Sequence, residues 1–400
     1  MTFGCRLNRA EALDEEARYL SEGWELTDDH AEADRFVVRG CSVTARAERD
    51  CQKLIQHLRR KYPTKRVIVQ GCILDNTTTP GAWATVLARR RRKEAIPADD
   101  NAIPVSTRTA RAYLKVQDGC SGKCTFCIVP QFRGASKSVD FTAALDKAKR
   151  FIDAGYHEIV VTGCNLSLYA SQGKRLPDLL NALADLGAAD ADRACRIRLG
   201  SVEPSAVAHE VVDVMATRPN ICNFLHLPIQ SGSNRILLTM KRPYLLKDVE
   251  ALVQEACLRM PRLGLGCDLM TGFPGENEMD FLSTESLLRR HPFTNAHVFP
   301  FSERPGTSAA SYPDSIPKPL RSARAHRLAD LVQQKQHAAA KRFRGHKVEV
   351  IIEDEKHQTG WTAEYFPFRR SSHALVNEPK PRKSLATFLV TDIRHGVLVG

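Results

Sequence analysis

The sequence predicts an α/β chain of three parts: an N-terminal doubly wound parallel-sheet domain, a partial (βα)6 barrel and a small C-terminal antiparallel β-barrel. Three observations predict this fold class. Strand-like stretches near the N-terminus end in Gly-Cys, six strand-helix repeats follow, and the last segment alternates apolar and polar residues between turns. Four hundred residues suffice for two or three domains with their own cores.

The composition excludes several classes of protein. Fifty-eight Lys and Arg against 46 Asp and Glu give a formal net charge of +12, which favours a polyanionic partner. No apolar run is long enough to span a bilayer, and the N-terminus lacks the order of a signal peptide. We therefore expect a cytoplasmic protein with no membrane partner. Twelve cysteines in such a reducing compartment indicate metal, cluster or redox chemistry rather than a disulfide framework.

Residues 1–75 form the first predicted domain. Three strand-like stretches end in Gly-Cys, and helical segments between them give a β-α-β-α-β pattern, which predicts a parallel sheet. The loops after parallel strands share one edge, so Cys5, Cys41 and Cys72 are expected to meet there. Cys51 lies on an apolar helix face and is interpreted as an ordinary buried thiol.

Residues 76–112 are predicted to be a linker, and its basic run Arg89–Lys93 is interpreted as a solvated helix face rather than an RNA contact. Residues 113–317 contain the six strand-helix repeats, which predict a curved parallel sheet with its active site at the carboxyl ends of the strands. The predicted strands are Tyr113–Gln117, Glu158–Thr162, Arg196–Ser201, Asn223–Leu227, Leu265–Met270 and Ala296–Phe301. The predicted helices include Leu145–Ala154, Val207–Thr217, Val249–Met260 and Phe281–Arg290.

The C-terminal part begins with a predicted basic helix, residues 318–344, which carries eight Lys or Arg and a single Asp. Residues 345–400 then alternate apolar and polar residues between turn signals, which is typical of a small antiparallel barrel. Its predicted strand stretches are Lys347–Glu353, Gly360–Phe368, His373–Val376 and Leu385–Val399.

The strongest motif is a C-x3-C-x2-C run directly after the first strand of the predicted (βα)6 barrel. It contains Cys120, Cys124 and Cys127. Three thiolates on one short loop can each ligate one iron of a 4Fe-4S cube and leave the fourth iron open. A zinc site would require a fourth Cys or His close by. Together with the three N-terminal cysteines, this run predicts two three-thiolate sites.

These features resemble the radical S-adenosylmethionine (SAM) methylthiotransferase family over nearly the whole chain. The resemblance is strongest to the bacterial branch that acts on N6-threonylcarbamoyladenosine at tRNA position 37. The segments that carry it are Phe3–Asn8, Gln117–Cys120, Arg198–Pro204, His226–Gly232, Gly272–Glu276 and His297–Ser302. The branches that act on isopentenyladenosine and on ribosomal protein S12 differ at Gln117–Cys120 and at Ser201–Pro204.

The resemblance implies a tRNA modification enzyme that adds a methylthio group to C2 of this adenosine by radical SAM chemistry. It implies two 4Fe-4S clusters, an auxiliary one on Cys5, Cys41 and Cys72 and a radical one on the catalytic Cys120, Cys124 and Cys127. It also implies SAM as cofactor and a C-terminal TRAM domain, a small barrel that binds RNA. The open alternatives are a methylthiotransferase acting on N6-isopentenyladenosine 37 or on ribosomal protein S12, and a non-catalytic RNA-binding protein with structural zinc.

Candidate SAM-binding residues lie at the ends of the barrel strands. Gly163, Glu203 and Gln230 follow the second, third and fourth strands, and carboxylate and amide groups there can bind an amino group or ribose hydroxyls. The alternative interpretations are turn geometry for Gly163 and a helix-entry carboxylate for Glu203.

The expected macromolecular partner is the anticodon loop of tRNA. Cations of the basic helix can contact phosphates, and aromatic rings can stack on unpaired bases. Trp361, Arg369 and Arg370 are the predicted RNA contacts. We also expect an external electron donor, an external sulfur source and a monomeric enzyme. The remaining cysteines are interpreted as buried thiols rather than ligands; they are Cys164, Cys195, Cys222, Cys257 and Cys267.

Overall fold

A computed structural model describes residues 5–41, 43, 45–72, 109–190, 193–371 and 380–400 of the chain. Within these ranges the chain forms a two-stranded parallel sheet with two helices, a curved array of six parallel strands with helices, and a six-stranded C-terminal sheet. The predicted α/β class with parallel sheets is confirmed. No helix in the described ranges is both long enough and apolar enough to cross a lipid bilayer.

The N-terminal unit consists of α1 (Arg6–Ser21), β1 (Arg35–Gly40), α2 (Ala45–Lys61) and β2 (Arg66–Gly71). The two strands are parallel and in register, with Gly40 opposite Gly71, so Cys41 and Cys72 leave the sheet at the same edge. The predicted first strand falls on residues 1–4, outside the described ranges, and Cys5 directly precedes α1. Cys51 is fully buried in the small core between α2 and the sheet, as predicted.

Between residues 109 and 317, the described residues form ten strands. They are β3 (Ala112–Lys115), β4 (Gln117–Asp118), β5 (Lys137–Ser138), β6 (Glu158–Thr162), β7 (Ala170–Ser171), β8 (Lys174–Arg175), β9 (Arg196–Leu199), β10 (Phe224–Gln230), β11 (Gly264–Thr271) and β12 (Phe293–Pro300). The helices are α3 (Val129–Arg133), α4 (Phe141–Asp153), α5 (Leu176–Ala188), α6 (Ala206–Thr217), α7 (Asn234–Thr239), α8 (Leu246–Arg259) and α9 (Glu278–Arg290).

Six of these strands form a parallel array. Strands β3, β6 and β9 form one sheet and β10, β11 and β12 another, and the bridges Ile197–Ile221 and Ser201–His226 connect β9 and its loop to β10 and the residues before it. Alternate side chains such as Ile197 and Leu199 pack into the main core with the helices. The residues between them belong to the opposite side of the array, which we call the inner face.

Two other parts of the chain cover the inner face. Helix α1 packs Ala10 and Leu13 against Tyr113 of β3 and Val160 of β6. From the C-terminal sheet, the Tyr365 ring stacks on Phe224 of β10, with 4.7 Å between centroids. The N-terminal unit and the C-terminal sheet therefore pack against different strands of the same array.

A buried charge cluster connects the array to the C-terminal sheet. Glu158 is fully buried and pairs with Arg196 at 2.6 Å and Arg198 at 2.7 Å. Arg196 also donates to the Trp361 carbonyl at 2.9 Å, and Arg198 to the Thr362 carbonyl at 2.9 Å. Burial disfavours the charged carboxylate, but the two guanidinium groups outweigh it and hold the pKa of Glu158 well below its usual range.

The predicted basic helix is observed as α10 (Lys318–Ala340), followed by a 3-10 turn, Lys341–Phe343. Its arginines do not form the free cationic face that we expected to contact RNA. Arg321 pairs with Glu303, Arg324 with Glu276 and Glu278, and Arg327 with Glu285. A count of basic residues cannot distinguish paired from free cations, and these three arginines hold the helix on the barrel.

The C-terminal sheet contains β13 (Lys347–Asp354), β14 (Thr359–Thr362), β15 (Pro367–Arg369), β16 (Leu385–Leu389), β17 (Asp392–Arg394) and β18 (Val397–Val399). Its strand order is β16-β13-β14-β15-β18-β17. The pairings are antiparallel, as predicted, except between β15 and β18, which are parallel. The predicted stretch His373–Val376 lies outside the described residues.

Candidate functional site

The C-x3-C-x2-C loop connects β4 to α3 at the carboxyl end of the first barrel strand. Gln117 fixes its start: the side chain is fully buried and donates to the Gly119 carbonyl at 2.7 Å and to Ser136 Oγ at 2.9 Å. Gly119 has a φ of +64°, and a Cβ there would lie 2.1 Å from the Ala135 carbonyl oxygen. Only glycine therefore fits at this turn.

Cys120, Cys124 and Cys127, which we call the loop trio, are all half-buried. A Cβ on Gly122 would lie 3.2 Å from Cys120 Sγ and 3.9 Å from Cys124 Sγ, so these two sulfur atoms converge on the glycine. Burial raises the pKa of Cys127 to about 11. Iron binding would have to displace that proton, because the thiolate is the ligand. The donor set is the one that 4Fe-4S clusters use.

Arg242 joins the loop trio to the predicted Glu203. It donates to Cys124 Sγ at 3.0 Å and pairs with Glu203 at 2.7 Å. Ser205, not Glu203, precedes the first residue of α6, so the helix-entry interpretation of Glu203 does not describe its contacts. Glu203 instead accepts a hydrogen bond from Asn165 at 3.1 Å. The structure thus places Glu203 beside the cysteine loop.

Gln230, at the end of β10, is the second predicted residue near this region, since Arg242 donates to the carbonyl of Pro228 on the same strand at 3.2 Å. Its backbone has a φ of +72°, which is strained for a residue other than glycine. Its side-chain Oε1 is buried and has no hydrogen-bond partner among the described residues. An unpaired buried acceptor costs about 1–3 kcal/mol, so this atom fits the N–H or O–H donor of a bound cofactor such as SAM.

Gly163 follows β6, as predicted. Glycine is required at this position by close packing rather than by turn geometry. A Cβ at this position would lie 2.9 Å from both Cβ and Oε1 of Gln117 and 3.0 Å from Leu166 Cδ2. Gly163 therefore makes room for the glutamine that fixes the cysteine loop.

The second site contains Cys5, Cys41 and Cys72, which we call the N-terminal trio. Cys41 and Cys72 are buried and Cys5 is exposed at the start of α1. Burial is the main cause that raises the pKa of the Cys41 thiol to about 11, and charge on Cys5 and Cys72 contributes. Asn8 of α1 donates to the carbonyl of Gly40, the residue before Cys41, at 2.8 Å, so the start of α1 lies beside the sheet edge that carries Cys41 and Cys72.

Arg133, at the end of α3, lies between the two cysteine sites. Its Nε donates to Cys72 Sγ at 3.2 Å, and its guanidinium pairs with Glu11 and Asp118, both at 2.9 Å. Lys115 pairs with the same two carboxylates. Burial opposes ionisation of Asp118, but Lys115 and Arg133 lower its pKa to about 2. Sequence reasoning missed Arg133 and Arg242, since only the fold brings them to the cysteines.

The cysteines outside the two trios are mostly buried, as predicted. Cys195, Cys222 and Cys267 are buried, whereas Cys257 is half-buried. Cys164 is also half-buried, and its Sγ lies 3.6 Å from Asp118 Oδ1. It therefore lies beside the Asp118–Arg133 ion pair.

The predicted RNA contacts lie apart from the cysteine sites, in the C-terminal sheet. The Trp361 ring stacks on Tyr365 with 4.5 Å between centroids, and its Nε1 donates to Glu353 at 3.0 Å. Arg369 is exposed, and Arg370 is half-buried beside the Phe388 ring. Arg369 is therefore the most accessible of the three predicted RNA contacts, because Trp361 and Arg370 are both half-buried.

Two family models match the chain over these elements. Residues 114–288 match the Radical SAM superfamily, and residues 1–80 match a family described as Uncharacterized protein family UPF0004. A threonylcarbamoyladenosine tRNA methylthiotransferase of Bacillus subtilis (strain 168) is 31% identical over 385 residues, which cover 90% of this chain and 85% of that protein. The chain belongs to the radical SAM methylthiotransferase family.

Other methylthiotransferases are similarly related. A tRNA-2-methylthio-N(6)-dimethylallyladenosine synthase of Chlorobium limicola is 30% identical over 388 residues, covering 90% of this chain and 87% of that protein. A threonylcarbamoyladenosine tRNA methylthiotransferase of Aquifex aeolicus (strain VF5) is 28% identical over 405 residues, covering 94% of this chain and 97% of that protein. The protein is a radical SAM methylthiotransferase, and its cofactors are SAM and 4Fe-4S clusters.

The fold also occurs in a solved structure. The radical SAM methyltransferase TsrM from Kitasatospora setae superimposes with a TM-score of 0.53 at 16% identity, over 75% of this chain and 72% of that one. At this identity the likeness establishes the fold alone.

Proposed function

We propose that this methylthiotransferase acts on tRNA and adds a methylthio group to C2 of N6-threonylcarbamoyladenosine at position 37. The observation that carries the proposal is the pair of cysteine trios on either side of the Arg133–Asp118 ion pair. The threonylcarbamoyl substrate is supported by the names of two relatives, at 31% and 28% identity. A relative at 30% identity is named for the dimethylallyl substrate, which is therefore the second candidate.

The two trios are the proposed cluster ligands. Cys5, Cys41 and Cys72 would hold an auxiliary 4Fe-4S cluster, and the loop trio would hold the one that binds SAM. When bound, these groups supply reductive cleavage of SAM and the sulfur that is transferred to carbon.

The protein's own residues would position and shield these groups. Arg133 and Arg242 each donate to one thiol, and N–H donors to cluster sulfur tune the reduction potential. Gln230 Oε1 would accept a hydrogen bond from SAM, and Glu203 would bind its amino group or ribose in exchange for part of its contact with Arg242. Helix α1 would exclude water between the sites by packing on the inner face.

The division of the chain is part of the proposal. Residues 1–75 would carry the auxiliary cluster, 76–112 the linker, 113–317 the radical SAM barrel, 318–344 the basic helix and 345–400 a closed TRAM barrel. Arg369 and Arg370 would contact phosphates of the tRNA anticodon loop, and Trp361 would be a further RNA contact. An external reductant and sulfur source would serve a monomeric enzyme in the cytoplasm.

The test is anaerobic reconstitution followed by nucleoside mass spectrometry. Purified tRNA carrying either N6-threonylcarbamoyladenosine or N6-isopentenyladenosine is incubated with enzyme, SAM, dithionite and sulfide. We expect the methylthio product on the threonylcarbamoyl nucleoside. Product on the isopentenyl nucleoside alone would select the second candidate, and no product on either would refute the proposal. Cys257→Ala is the matched control, because this thiol belongs to neither trio and should leave the product yield unchanged.

A further inference from the structure

The inner face carries a polar cluster that the proposed cofactor sites do not use. His226 Nε2 and His297 Nδ1 each lie 3.0 Å from the same oxygen, Oδ1 of Asp268. The three residues belong to the neighbouring strands β10, β12 and β11. We call them the inner-face triad. Gly266 leaves room for the His226 ring, since a Cβ there would lie 2.5 Å from His226 Nδ1.

The triad borders the accessible part of the inner face. Helix α1 covers β3 and β6, and Tyr365 covers β10 at Phe224. His226 is buried, but the His297 side chain is 65% exposed and Asp268 is 22% exposed. Since both imidazoles contact Oδ1, the other carboxylate oxygen, Oδ2, is the one available to a ligand.

The triad is also close to the proposed SAM site. Gln230 and His226 lie on the same strand, and Gln230 pairs with Leu269, the residue after Asp268. At a rise of about 3.3 Å per residue, and allowing for the bulge in β10, they are separated by about 10 Å along the strand. A purine ring fits between two groups at this separation.

We propose that the inner-face triad binds the N6/N7 edge of the target adenine. In a purine this edge lies across the ring from C2, so a base held by the triad presents C2 toward the strand ends where Gln230 and the loop trio lie. Asp268 Oδ2 accepts the N6–H that remains in an N6-substituted adenosine. His297 Nε2, the ring nitrogen that does not contact Asp268, donates to N7 when both ring nitrogens carry a proton. This is the two-point recognition of adenine N6 and N7 known from nucleic-acid binding, applied to a base turned out of its stack.

Aromatic rings close one side of the triad: the buried Phe224 ring lies 6.2 Å from the His226 ring and stacks on Tyr365. The assignment rests on the proposed function, because it takes adenosine 37 as the substrate. Two imidazoles and one carboxylate can instead hold a divalent metal, which the experiment below distinguishes.

The test pairs a substrate change with a protein change. Anticodon stem-loops carry N6-threonylcarbamoyladenosine 37 or its 7-deaza analogue, which replaces N7 by carbon. Binding to holoenzyme is measured by fluorescence anisotropy, and product by mass spectrometry. With wild type, the 7-deaza change should weaken binding by about tenfold or more. With His297→Ala, both stem-loops should bind equally weakly, because the partner of N7 is already absent.

The controls separate this role from folding and from metal binding. Asp268→Asn and His297→Ala should keep the iron content of wild type, which shows that the fold and the cluster sites are intact. His291→Ala, whose imidazole contacts Glu250, should keep the tenfold N7 effect. Equal N7 effects in wild type and His297→Ala would overturn the assignment. So would one equivalent of zinc that is present in wild type and lost in Asp268→Asn. If wild type modifies neither stem-loop while binding both, the proposed function fails, and the assignment falls with it.

Discussion

The two cysteine trios hold equivalent donor sets but are assembled in opposite ways. The loop trio lies within eight residues of one loop, whereas the N-terminal trio comes from three segments spread over 68 residues. Gln117, Gly119 and Gly163 fix the loop locally. The N-terminal trio instead depends on the register of β1 with β2 and on the packing of α1.

Each trio has one arginine donor, but the two arginines are anchored by different parts of the chain. Arg242 is anchored within the barrel by Glu203 and Tyr244. Arg133 belongs to the barrel, yet it donates to Cys72 and pairs with Glu11 of the N-terminal unit. The local site is therefore complete within the barrel, and the dispersed site requires docking of the two units. Its stability should follow the interface between them.

The largest expected effect is on the stability of the whole protein, and it should therefore affect both cysteine trios equally. Glu158→Gln leaves Arg196 and Arg198 without their buried partner, which should destabilise the protein by about 3–5 kcal/mol in urea unfolding. The folded-state pKa of Glu158 is depressed, so its contribution is complete above pH about 4.5 and is lost as the pH falls below that value. Wild type should therefore lose stability in acid more steeply than the variant. Parallel acid profiles would contradict this account.

Arg133→Leu should separate the two sites. It removes the donor to Cys72 and leaves Asp118 with Lys115 alone and Glu11 with Lys115 and Arg39, a loss of about 2–3 kcal/mol. Iron should be lost from the N-terminal site while SAM cleavage at the loop site persists. The matched control is Arg18→Leu, since Arg18 has only weak ion pairs at the edge of α1 and should change stability by less than about 1 kcal/mol. Equal iron loss at both sites would show that the barrel site also depends on the interface.

Gly163→Ala should disturb the loop trio and leave the N-terminal trio intact. The new Cβ would overlap Gln117, so we expect a cost of about 1–3 kcal/mol and a displaced cysteine loop. Uncoupled SAM cleavage should fall while the iron of the N-terminal site is retained. If thermal unfolding and SAM cleavage were both unchanged, Gly163 would not support the loop through Gln117.

The smallest effect concerns RNA. Arg369→Ala and Arg370→Ala should each weaken tRNA binding modestly and reduce the slope of log K against log salt by about 0.7–0.9, one phosphate contact. Arg327→Ala should leave the slope unchanged, because its guanidinium pairs with Glu285. An equal decrease in slope for Arg327→Ala would indicate that binding senses only the net charge of the protein.

The sequence predicted what depends on local pattern. Strand β6 has the predicted bounds, because its five residues form a continuous buried run between a turn and a glycine. The short spacing of the loop trio was sufficient to predict one site. The contribution of Arg133 and Arg242 was not predictable, since each contacts a cysteine 61 or 118 residues away.

The sequence also left two features unpredicted: the ion-pair partners of the basic residues and the parallel pairing of two C-terminal strands. The basic residues of α10 suggested an RNA surface, but Arg321, Arg324 and Arg327 pair with carboxylates that are distant in sequence. Alternation of apolar and polar residues predicts strands without their direction, and β15 and β18 pair in parallel. Both features are set by contacts of the tertiary fold.

The central claim is that the two trios are independent cluster sites. The most direct test measures iron and acid-labile sulfide per chain after anaerobic reconstitution. It compares wild type with Cys5→Ala/Cys41→Ala/Cys72→Ala and with Cys120→Ala/Cys124→Ala/Cys127→Ala. We predict about eight irons in wild type and about four in either triple variant, as two four-iron clusters require. About four irons in wild type, lost only from the variant without the loop trio, would contradict the account and leave the N-terminal cysteines without a cluster.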